Sequence, residues 1–154
     1  MKTAAVIRSR YDALAGWLDS SLPEGLVLLF VRITLGGVFW RSGQTKVEEG
    51  SWFQLTDATR ELFRTEYAAV PLPAEFAAVA ATSAEHILPA LLLVGLFTRG
   101  AALGLLGMTA VIQLFVYPEA WWPVHSLWAA LALVILQRGG GIFALDRLLA
   151  AKLA

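Results

Sequence analysis

Residues 73–97, PAEFAAVAATSAEHILPALLLVGLF, decide the fold of this chain. The run is long enough to cross a bilayer, whose hydrocarbon core takes about 20 helical residues. Near its middle stand an acid and an imidazole, Glu85 and His86, followed by Pro89. Ionisable side chains at that depth are costly unless other helices supply partners. The stretch is therefore either a membrane helix with polar partners on a neighbouring helix, or not a membrane helix, and the rest of the chain decides between these.

The composition of the whole chain favours the membrane. Of its 154 residues, 58% are hydrophobic and 16% are charged, against about 45–50% and about 25% in ordinary soluble domains. We predict an all-α fold in one domain over 1–154, an integral membrane four-helix bundle. Its predicted spans are about 25–44, 73–97, 101–117 and 120–138. A soluble all-α bundle is the alternative.

Two segments outside the spans are also predicted to be ordered. Apolar side chains recur at helical spacing within residues 3–22, at Ile7, Tyr11, Leu14, Leu18 and Leu22. Because charges occupy the other side, we predict an amphipathic helix in the headgroup region. Residues 48–70 mix charges with aromatic side chains too numerous for a disordered linker. We expect an ordered extramembrane cap there, with Thr56 or Asp57 at the start of a short helix.

Lysine and arginine predict the orientation. Four spans put both termini on one side, together with the loop that contains Arg99. Seven basic residues fall on that side: Lys2, Arg8, Arg10, Arg99, Arg138, Arg147 and Lys152. Four fall on the other: Arg41, Lys46, Arg60 and Arg64. The positive-inside rule then predicts both termini in the cytoplasm, for a multi-pass protein of a bacterial-type inner membrane.

Charge and cysteine content exclude several classes of function. The net charge is zero, and no clustered basic surface is present, so we predict no nucleic-acid partner. The sequence has no cysteine, which excludes disulfides, iron–sulfur clusters, thiolate zinc sites and a thiol relay within this chain. We predict no metal site and no intrinsic cofactor. His86 and His125 fall at different predicted depths, so a haem held by both within one chain is rejected, while one shared between protomers stays open.

Four side chains form the candidate polar cluster in the membrane: Arg32, Lys46, Glu85 and His86. Arg32 falls near the middle of the first span, at a depth similar to that of Glu85, so we expect a buried Arg32–Glu85 ion pair. That pair either fixes helix register only or takes part in chemistry. His86 is either a core histidine bonded to a backbone carbonyl or a proton acceptor near neutral pH.

Four further side chains are secondary candidates for the site: Arg99, His125, Trp128 and Asp146. His125 and Trp128 belong, with Trp121 and Trp122, to an aromatic stretch that is either an anchor belt at the headgroup boundary or a stacking surface for a flat ligand. Gly100, Gly104 and Gly107 lie close to one side of the third span and would support a homo-oligomer.

At this point the residues resemble those of the DoxX family of small membrane proteins. The first-span pattern comprises Arg32, Gly36, Gly37, Phe39, Ser42, Gly43 and Lys46. Glu85, followed by GLFTR at 95–99, is similar to the second-span motif, which includes Arg99. Residues 139–141 and the Leu145–Asp146 pair resemble the closing glycine-rich stretch. The resemblance covers about residues 25–149, while the N-terminal helix and the 48–70 segment are less typical of short members.

The resemblance implies a four-helix membrane bundle with redox connections. Some relatives are described as subunits of quinone-linked oxidoreductases, including thiosulfate:quinone systems, and others accompany oxidative-stress or metal-response operons. Residues 107–118 resemble those of members encoded beside small secreted metal-binding peptides. The implied partners are the lipid bilayer and proteins of such a redox or metal-response operon.

Three functions compete on this reading. The first is a quinone-interacting or redox-accessory subunit, in which Arg32 and Lys46 hold quinone carbonyls while Glu85 or His86 exchanges protons. Because cysteine is absent, electrons would come from a partner protein. The second is a non-catalytic scaffold or assembly factor that recruits proteins through residues 48–70. The third is transport of a small solute or ion along Arg32 and Glu85, although no inverted repeat is evident.

Overall fold

The structure, a computed structural model, describes residues 2–153. Across these residues the chain forms seven α-helices: α1 (Lys2–Leu18), α2 (Ser21–Gln44), α3 (Asp57–Thr65), α4 (Ala74–Val94), α5 (Thr98–Phe115), α6 (Ser126–Arg138) and α7 (Leu145–Leu153). A 3₁₀ turn over Pro118–Ala120 and a π-helical turn over Trp121–His125 lead into α6. Within the described residues, strand pairing is limited to one isolated bridge between Val47 and Leu55. The predicted all-α fold is confirmed.

Four helical segments are long and apolar enough to cross a membrane. They are Ser21–Gln44, Ala74–Val94, Thr98–Phe115 and Pro118–Arg138. The first begins before the predicted position because Pro23 fits the first turn of a helix, where its missing N–H is not needed. The last is continuous only through the irregular turns before α6. The predicted four-helix membrane bundle is thus confirmed.

The four spans form a ring in which each packs on two neighbours. Helix α2 packs against α4 and α6, and α5 packs against the same two helices. Large apolar side chains fill the centre, among them Leu35, Phe39, Leu92, Leu105 and Ile135. Other apolar side chains point outward, as Phe30 and Leu114 do with 70% and 72% of their surface exposed. An apolar interior with an apolar exterior is the arrangement that a lipid environment requires.

Glycines set how α2 and α4 lie against each other. A Cβ on Gly36 would stand 3.4 Å from Leu93 Cγ. A Cβ on Gly43 would stand 2.9 Å from His86 Cε1 and 3.1 Å from Glu85 Cβ. Small residues let membrane helices approach this closely. The end of α2 is therefore pressed against the middle of α4, where the acid and the imidazole lie.

The two ends of the bundle differ. At one end, the α3 end, α2 finishes, α3 packs on α4, and α5 finishes. Leu55 and Phe63 are buried there against Ala77 and Ala78. At the other, the α7 end, α4 joins α5 and the glycine-rich loop joins α6 to α7. The 48–70 segment is therefore an ordered part of the fold, with Thr56 capping α3 by accepting a hydrogen bond from Thr59 N at 3.1 Å.

Helix α1 touches little of the bundle. Its described apolar side chains are exposed, including Ile7 at 65% and Trp17 at 58%. An exposed apolar face next to a membrane bundle fits the predicted interfacial helix. Its location in the headgroup region stays a prediction.

The glycines of α5 are partly used within the chain itself. A Cβ on Gly104 would stand 2.7 Å from Leu88 Cδ1 of α4, and one on Gly100 would clash with the ring of Phe97. Phe97 has a positive φ of 51°, and its ring lies against Gly100. Only Gly107 faces open space. The predicted homo-oligomer therefore has less glycine surface available than the spacing indicates.

Candidate functional site

The structure corrects the predicted Arg32–Glu85 pair. The fully buried guanidinium of Arg32 donates hydrogen bonds to the carbonyls of Leu92 at 2.7 Å, Leu93 at 2.6 Å and Gly140 at 3.0 Å. Leu92 follows Glu85 by about two helical turns, roughly 10 Å at 1.5 Å per residue. Arg32 therefore stabilises the carbonyl end of α4 and lies at another level from Glu85. Hydropathy located each charge along its own helix, but not the shift between the helices.

Arg99 also satisfies a helix end. Its guanidinium donates to the carbonyls of Leu136 at 2.9 Å and Gln137 at 3.2 Å, in the last turn of α6. These carbonyls have no partner within their own helix. Arg99 thus fastens the start of α5 to the end of α6.

Asp146 performs the matching task at the start of α5. Its carboxylate accepts hydrogen bonds from the backbone N–H groups of Phe97 at 2.7 Å and Thr98 at 2.8 Å, and from the Thr98 hydroxyl. Burial opposes the charge, but the bonds from Thr98 and Phe97 and the positive charge of Arg32 hold the pKa of Asp146 below its ordinary value. Three of the predicted site residues, Arg32, Arg99 and Asp146, therefore hold the α7 end together.

Glu85 pairs instead with Lys46. Lys46 Nζ lies 3.0 Å from Glu85 Oε1 and 2.7 Å from Oε2, and both side chains are buried. The Ser42 hydroxyl accepts from Lys46 Nζ at 2.8 Å and donates to Glu85 Oε1 at 3.1 Å. Ser42 lies in the last turn of α2 and Lys46 in the turn that follows it, so the two side chains meet at the end of this helix. A carboxylate, an ammonium group and a hydroxyl thus meet where the end of α2 packs against the middle of α4.

One oxygen of this cluster keeps free acceptor capacity. Glu85 Oε2 is in ionic contact with Lys46, but the approach lacks hydrogen-bond geometry, so Oε2 accepts no hydrogen bond from the described residues. Buried polar atoms rarely lack a hydrogen bond, and the ionic contact with Lys46 offsets only part of the hydration that Oε2 has lost. Glu85 Oε2 is therefore suited to receive a hydrogen bond from a ligand or a water molecule.

His86 lies beside this cluster with both ring nitrogens engaged. Nδ1 lies 2.8 Å from the carbonyl of Thr82, which can only accept, so Nδ1 carries the proton. Nε2 then accepts from Gln44 Nε2 at 2.9 Å. The ring packs edge-on against Trp40, with centroids 5.4 Å apart. Of the two predicted roles, the structure shows the core histidine bonded to a backbone carbonyl.

An apolar cleft of about 250 Å³ ends at Glu85. It runs between the α3 segment, α4 and α5, and its walls are almost entirely apolar. They include Phe63, Val70, Ala80, Ala84, Met108 and Val111. Tyr67 also lines the cleft. Burial raises the pKa of its hydroxyl most, and the charge of Glu85 raises it further, so the hydroxyl stays neutral. The cleft thus offers apolar walls with a carboxylate and a phenol.

A second cavity, here called the interior cavity, shares Tyr67, Glu85 and Ile112 with the cleft. It measures about 150 Å³ and is lined by Val38, Phe39, Ser42, Tyr67, Glu85, Ile112, Tyr117, His125 and Trp128. The structure therefore brings the secondary candidates His125 and Trp128 to the same site as Glu85. Their rings lie against each other, with centroids 5.1 Å apart.

Sequence reasoning missed three residues of the site. Ser42 appeared only within a family pattern, although it precedes Lys46 by only four residues. Tyr67 and Tyr117 stand in segments read as surface and helix end, and nothing in their neighbourhood marks them as inward-facing. Among the described residues, no group of three or more His, Asp or Glu side chains could hold a metal ion.

Comparison with known proteins gives one finding. Residues 27–118 match the model of the protein family described as DoxX, and they include all four members of the predicted polar cluster. His125, Trp128 and Asp146 lie beyond the matched residues. No curated protein and no solved structure matches the chain.

Proposed function

The chain belongs to the DoxX family, and from this premise we propose that it is a quinone-interacting subunit of a membrane redox system, with its ligand site at Glu85. One observation carries the proposal. An apolar cleft between membrane helices ends at a buried carboxylate whose Oε2 accepts no hydrogen bond from the described residues. A quinol has the matching chemistry, with apolar ring and tail and a hydroxyl donor at the head.

The residues of the cleft fit such a ligand. Glu85 Oε2 would accept from a quinol hydroxyl, and the neutral Tyr67 hydroxyl would serve a second oxygen. Met108 and the alanines of α4 would receive the ring and the tail. A quinol, when bound, would supply two electrons to a partner protein and two protons. Glu85 would accept one proton at a time and release it before it takes the next.

Lys46 and Ser42 prepare Glu85 for this role. Their contacts with Oε1 hold the carboxylate in a fixed orientation inside the bundle. Arg32, which the sequence suggested for holding quinone carbonyls, is committed to the end of α4. The proposed ligand set is therefore Glu85 and Tyr67, with Lys46 behind the acid.

The proposal extends to partners and location. The sequence has no cysteine for an iron–sulfur or thiol relay, so a partner protein of a redox or metal-response operon would exchange electrons with the ligand. Basic residues favour the cytoplasmic side for both termini, in a bacterial-type inner membrane. The α3 end would then face away from the cytoplasm.

The test is retention of endogenous quinone. Protein purified from membranes in mild detergent is extracted, and quinone per protein is measured for wild type, Glu85→Gln and Glu75→Gln. Glu75 is the matched control, because it makes the same change on the exposed start of the same helix. We expect near-stoichiometric quinone in wild type and the control, and about a tenfold loss in Glu85→Gln, as for a lost hydrogen bond to a charged group.

A second variant guards against a folding defect. Ala80→Phe fills the exposed part of the cleft without touching the ion pair, and it too should lose quinone. Wild-type protein free of quinone, or retention at the wild-type level in both Glu85→Gln and Ala80→Phe, would overturn the proposal.

A further inference from the structure

We propose that Glu85 exchanges its proton with the aqueous phase at the α3 end through the interior cavity, by way of His125 and Tyr117. The inference uses the interior cavity and not the cleft, so it holds whether or not a quinone binds. It assigns proton-carrying roles to two residues outside the predicted polar cluster.

The interior cavity connects the groups involved. Glu85, Ser42, Tyr117 and His125 all line its volume of about 150 Å³. A cavity of this size with several polar groups can hold hydrogen-bonded water, which apolar cavities exclude. Water in this space would link the Glu85 carboxylate to the imidazole and the phenol by short proton transfers.

The tautomer of His125 follows from a chain of hydrogen bonds. The carbonyl of Pro118 only accepts, so Gln113 turns its Nε2 toward it at 2.7 Å. Gln113 Oε1 therefore faces His125 Nδ1 at 2.7 Å, and Nδ1 carries the proton. The neutral ring keeps an unprotonated Nε2, the nitrogen that can take up a proton. No described residue hydrogen-bonds to Nε2.

The backbone before α6 delivers this ring to the cavity. Residues Trp121–His125 form a single π-helical turn, a rare geometry that recurs at functional sites. His125 is buried at the end of that turn, with 2% of its surface exposed, while Trp122 is 82% exposed. The irregular turn thus carries a polar side chain from the headgroup region into the bundle.

Tyr117 links the interior cavity to water. Its hydroxyl donates to the carboxylate of Glu66, an exposed residue at the end of α3. The hydrogen bond to Glu66 first, then burial, raises the pKa of Tyr117 to about 12, so the phenol stays neutral. The proton leaves the Glu85 carboxyl group for cavity water, directly or through Nε2 of His125, whose N–H bond then breaks as the water takes the proton. The neutral phenol accepts the proton from that water as it passes its own to Glu66, which releases it to the solvent. Each transfer makes one bond to hydrogen and breaks another, and no charge accumulates on the phenol.

The surroundings of Glu85 direct exchange to this end. The titratable groups that face it are Lys46 after α2, Tyr67 before α4, and Tyr117 and His125 between α5 and α6, with His86 next to it on α4. Toward the α7 end, the fully buried apolar side chains of Leu35, Leu92 and Leu105 fill the bundle on the side of Arg32 that faces Glu85. A dry layer of this kind carries no proton. Exchange is therefore one-sided.

The experiment follows Glu85 itself by time-resolved infrared spectroscopy after photorelease of protons. Bound quinone is removed from the protein, which is then placed in lipid nanodiscs. The infrared band of protonated Glu85 is identified as the band that Glu85→Gln lacks. We expect Tyr117→Phe and His125→Phe to slow the rise of that band by about a hundredfold, the lower end of the range for a lost proton-transfer group. Tyr11→Phe, on exposed α1, is the matched control and should respond as wild type does.

A cavity-filling variant keeps the proposal testable if His125→Phe fails to fold. Val38→Phe places a ring in the interior cavity without removing any titratable group, and it should slow the response equally. Unchanged rates in Tyr117→Phe and Val38→Phe, or a wild-type Glu85 band that does not respond to the proton pulse, would refute the inference. Quinone retention by the same variants is measured separately, so loss of the cleft function and loss of proton exchange are distinguished.

Discussion

At the scale of single residues, Lys46 and Glu85 are the most consequential contact in the bundle. Their side chains are 8% and 3% exposed, so both charges have given up their hydration. The direct contact and the Ser42 hydroxyl offset that loss only together. Removing one partner leaves the other charge buried and uncompensated, which is far costlier than removing both.

This asymmetry predicts the behaviour of a double-mutant cycle. Lys46→Met and Glu85→Met should each lower the free energy of unfolding by about 3–5 kcal/mol, and the double substitution should recover most of that loss. Unfolding in mixed micelles measures all four proteins. A double variant whose loss equals the sum of the two single losses would contradict the pairing.

Asp146 predicts a pH dependence. Its folded-state pKa is lowered, so its contribution to stability is fully present above the unfolded pKa of about 3.9 and is lost as the pH falls through the folded value. Asp146→Asn should lower the free energy of unfolding by about 1 kcal/mol at neutral pH, as for a lost N-cap.

The comparison is made by thermal unfolding at several pH values. The gap between wild type and Asp146→Asn should stay constant from neutral pH to about pH 5 and narrow only in stronger acid. A gap that widens on acidification would show that Asp146 does not act as an ionised cap.

At the scale of elements, the register between α2 and α4 determines which charges meet. The apolar runs sufficed to predict the four spans, since length and hydropathy are properties of one segment. The pairing of Arg32 with Glu85 was wrong because the shift between two helices depends on where small residues admit the neighbour. Gly43 lets the side chains of Glu85 and His86 pack directly against α2, whereas Arg32 lies opposite the last turn of α4. No feature of either segment alone encodes that alignment.

Gly43 and Gly37 provide a matched pair of tests on α2. A methyl group at Gly43 would meet the His86 ring at 2.9 Å, whereas nothing lies within 4 Å of one at Gly37. Gly43→Ala should destabilise the protein by about 1–3 kcal/mol through overpacking. Gly37→Ala should be neutral or stabilise it by up to about 1 kcal/mol through helix propensity.

Thermal unfolding of both alanine variants in one detergent provides the measurement. Equal stability of the two variants would show that Gly43 does not set the helix contact. A rise in stability for Gly43→Ala would be stronger evidence against it.

At the scale of the whole molecule, the two ends of the bundle have separate tasks. Arg32, Arg99 and Asp146 close the α7 end by satisfying helix termini. The candidate chemistry lies toward the α3 end, around Glu85. Sequence patterns marked residues of both groups as candidates for the functional site, without separating those that hold helix ends together from those that surround Glu85. Dividing that list into structural and chemical groups required the hydrogen-bond partners of each side chain.

The orientation in the membrane is testable because the sequence has no cysteine. Single cysteines at Ser9 on α1 and at Glu49 beyond α2 should label from opposite sides with a membrane-impermeant maleimide in intact cells. The positive-inside rule predicts that Glu49→Cys is labelled in intact cells, whereas Ser9→Cys is labelled only after the cells are opened. Labelling of Ser9→Cys in intact cells would reverse the proposed topology.

The depth of Glu85 has an electrical consequence. Glu85 follows the start of α4 at Ala74 by eleven residues, roughly 16 Å at 1.5 Å per residue, about half of a typical hydrocarbon core. With the start of α4 at the membrane surface, a proton that travels between this carboxylate and water at the α3 end would cross about half of the transmembrane voltage drop. At 100 mV, the work is about 1 kcal/mol, half of that for a full crossing. The fraction of Glu85 that is protonated would then depend on the transmembrane voltage as well as on the pH of the solution at the α3 end.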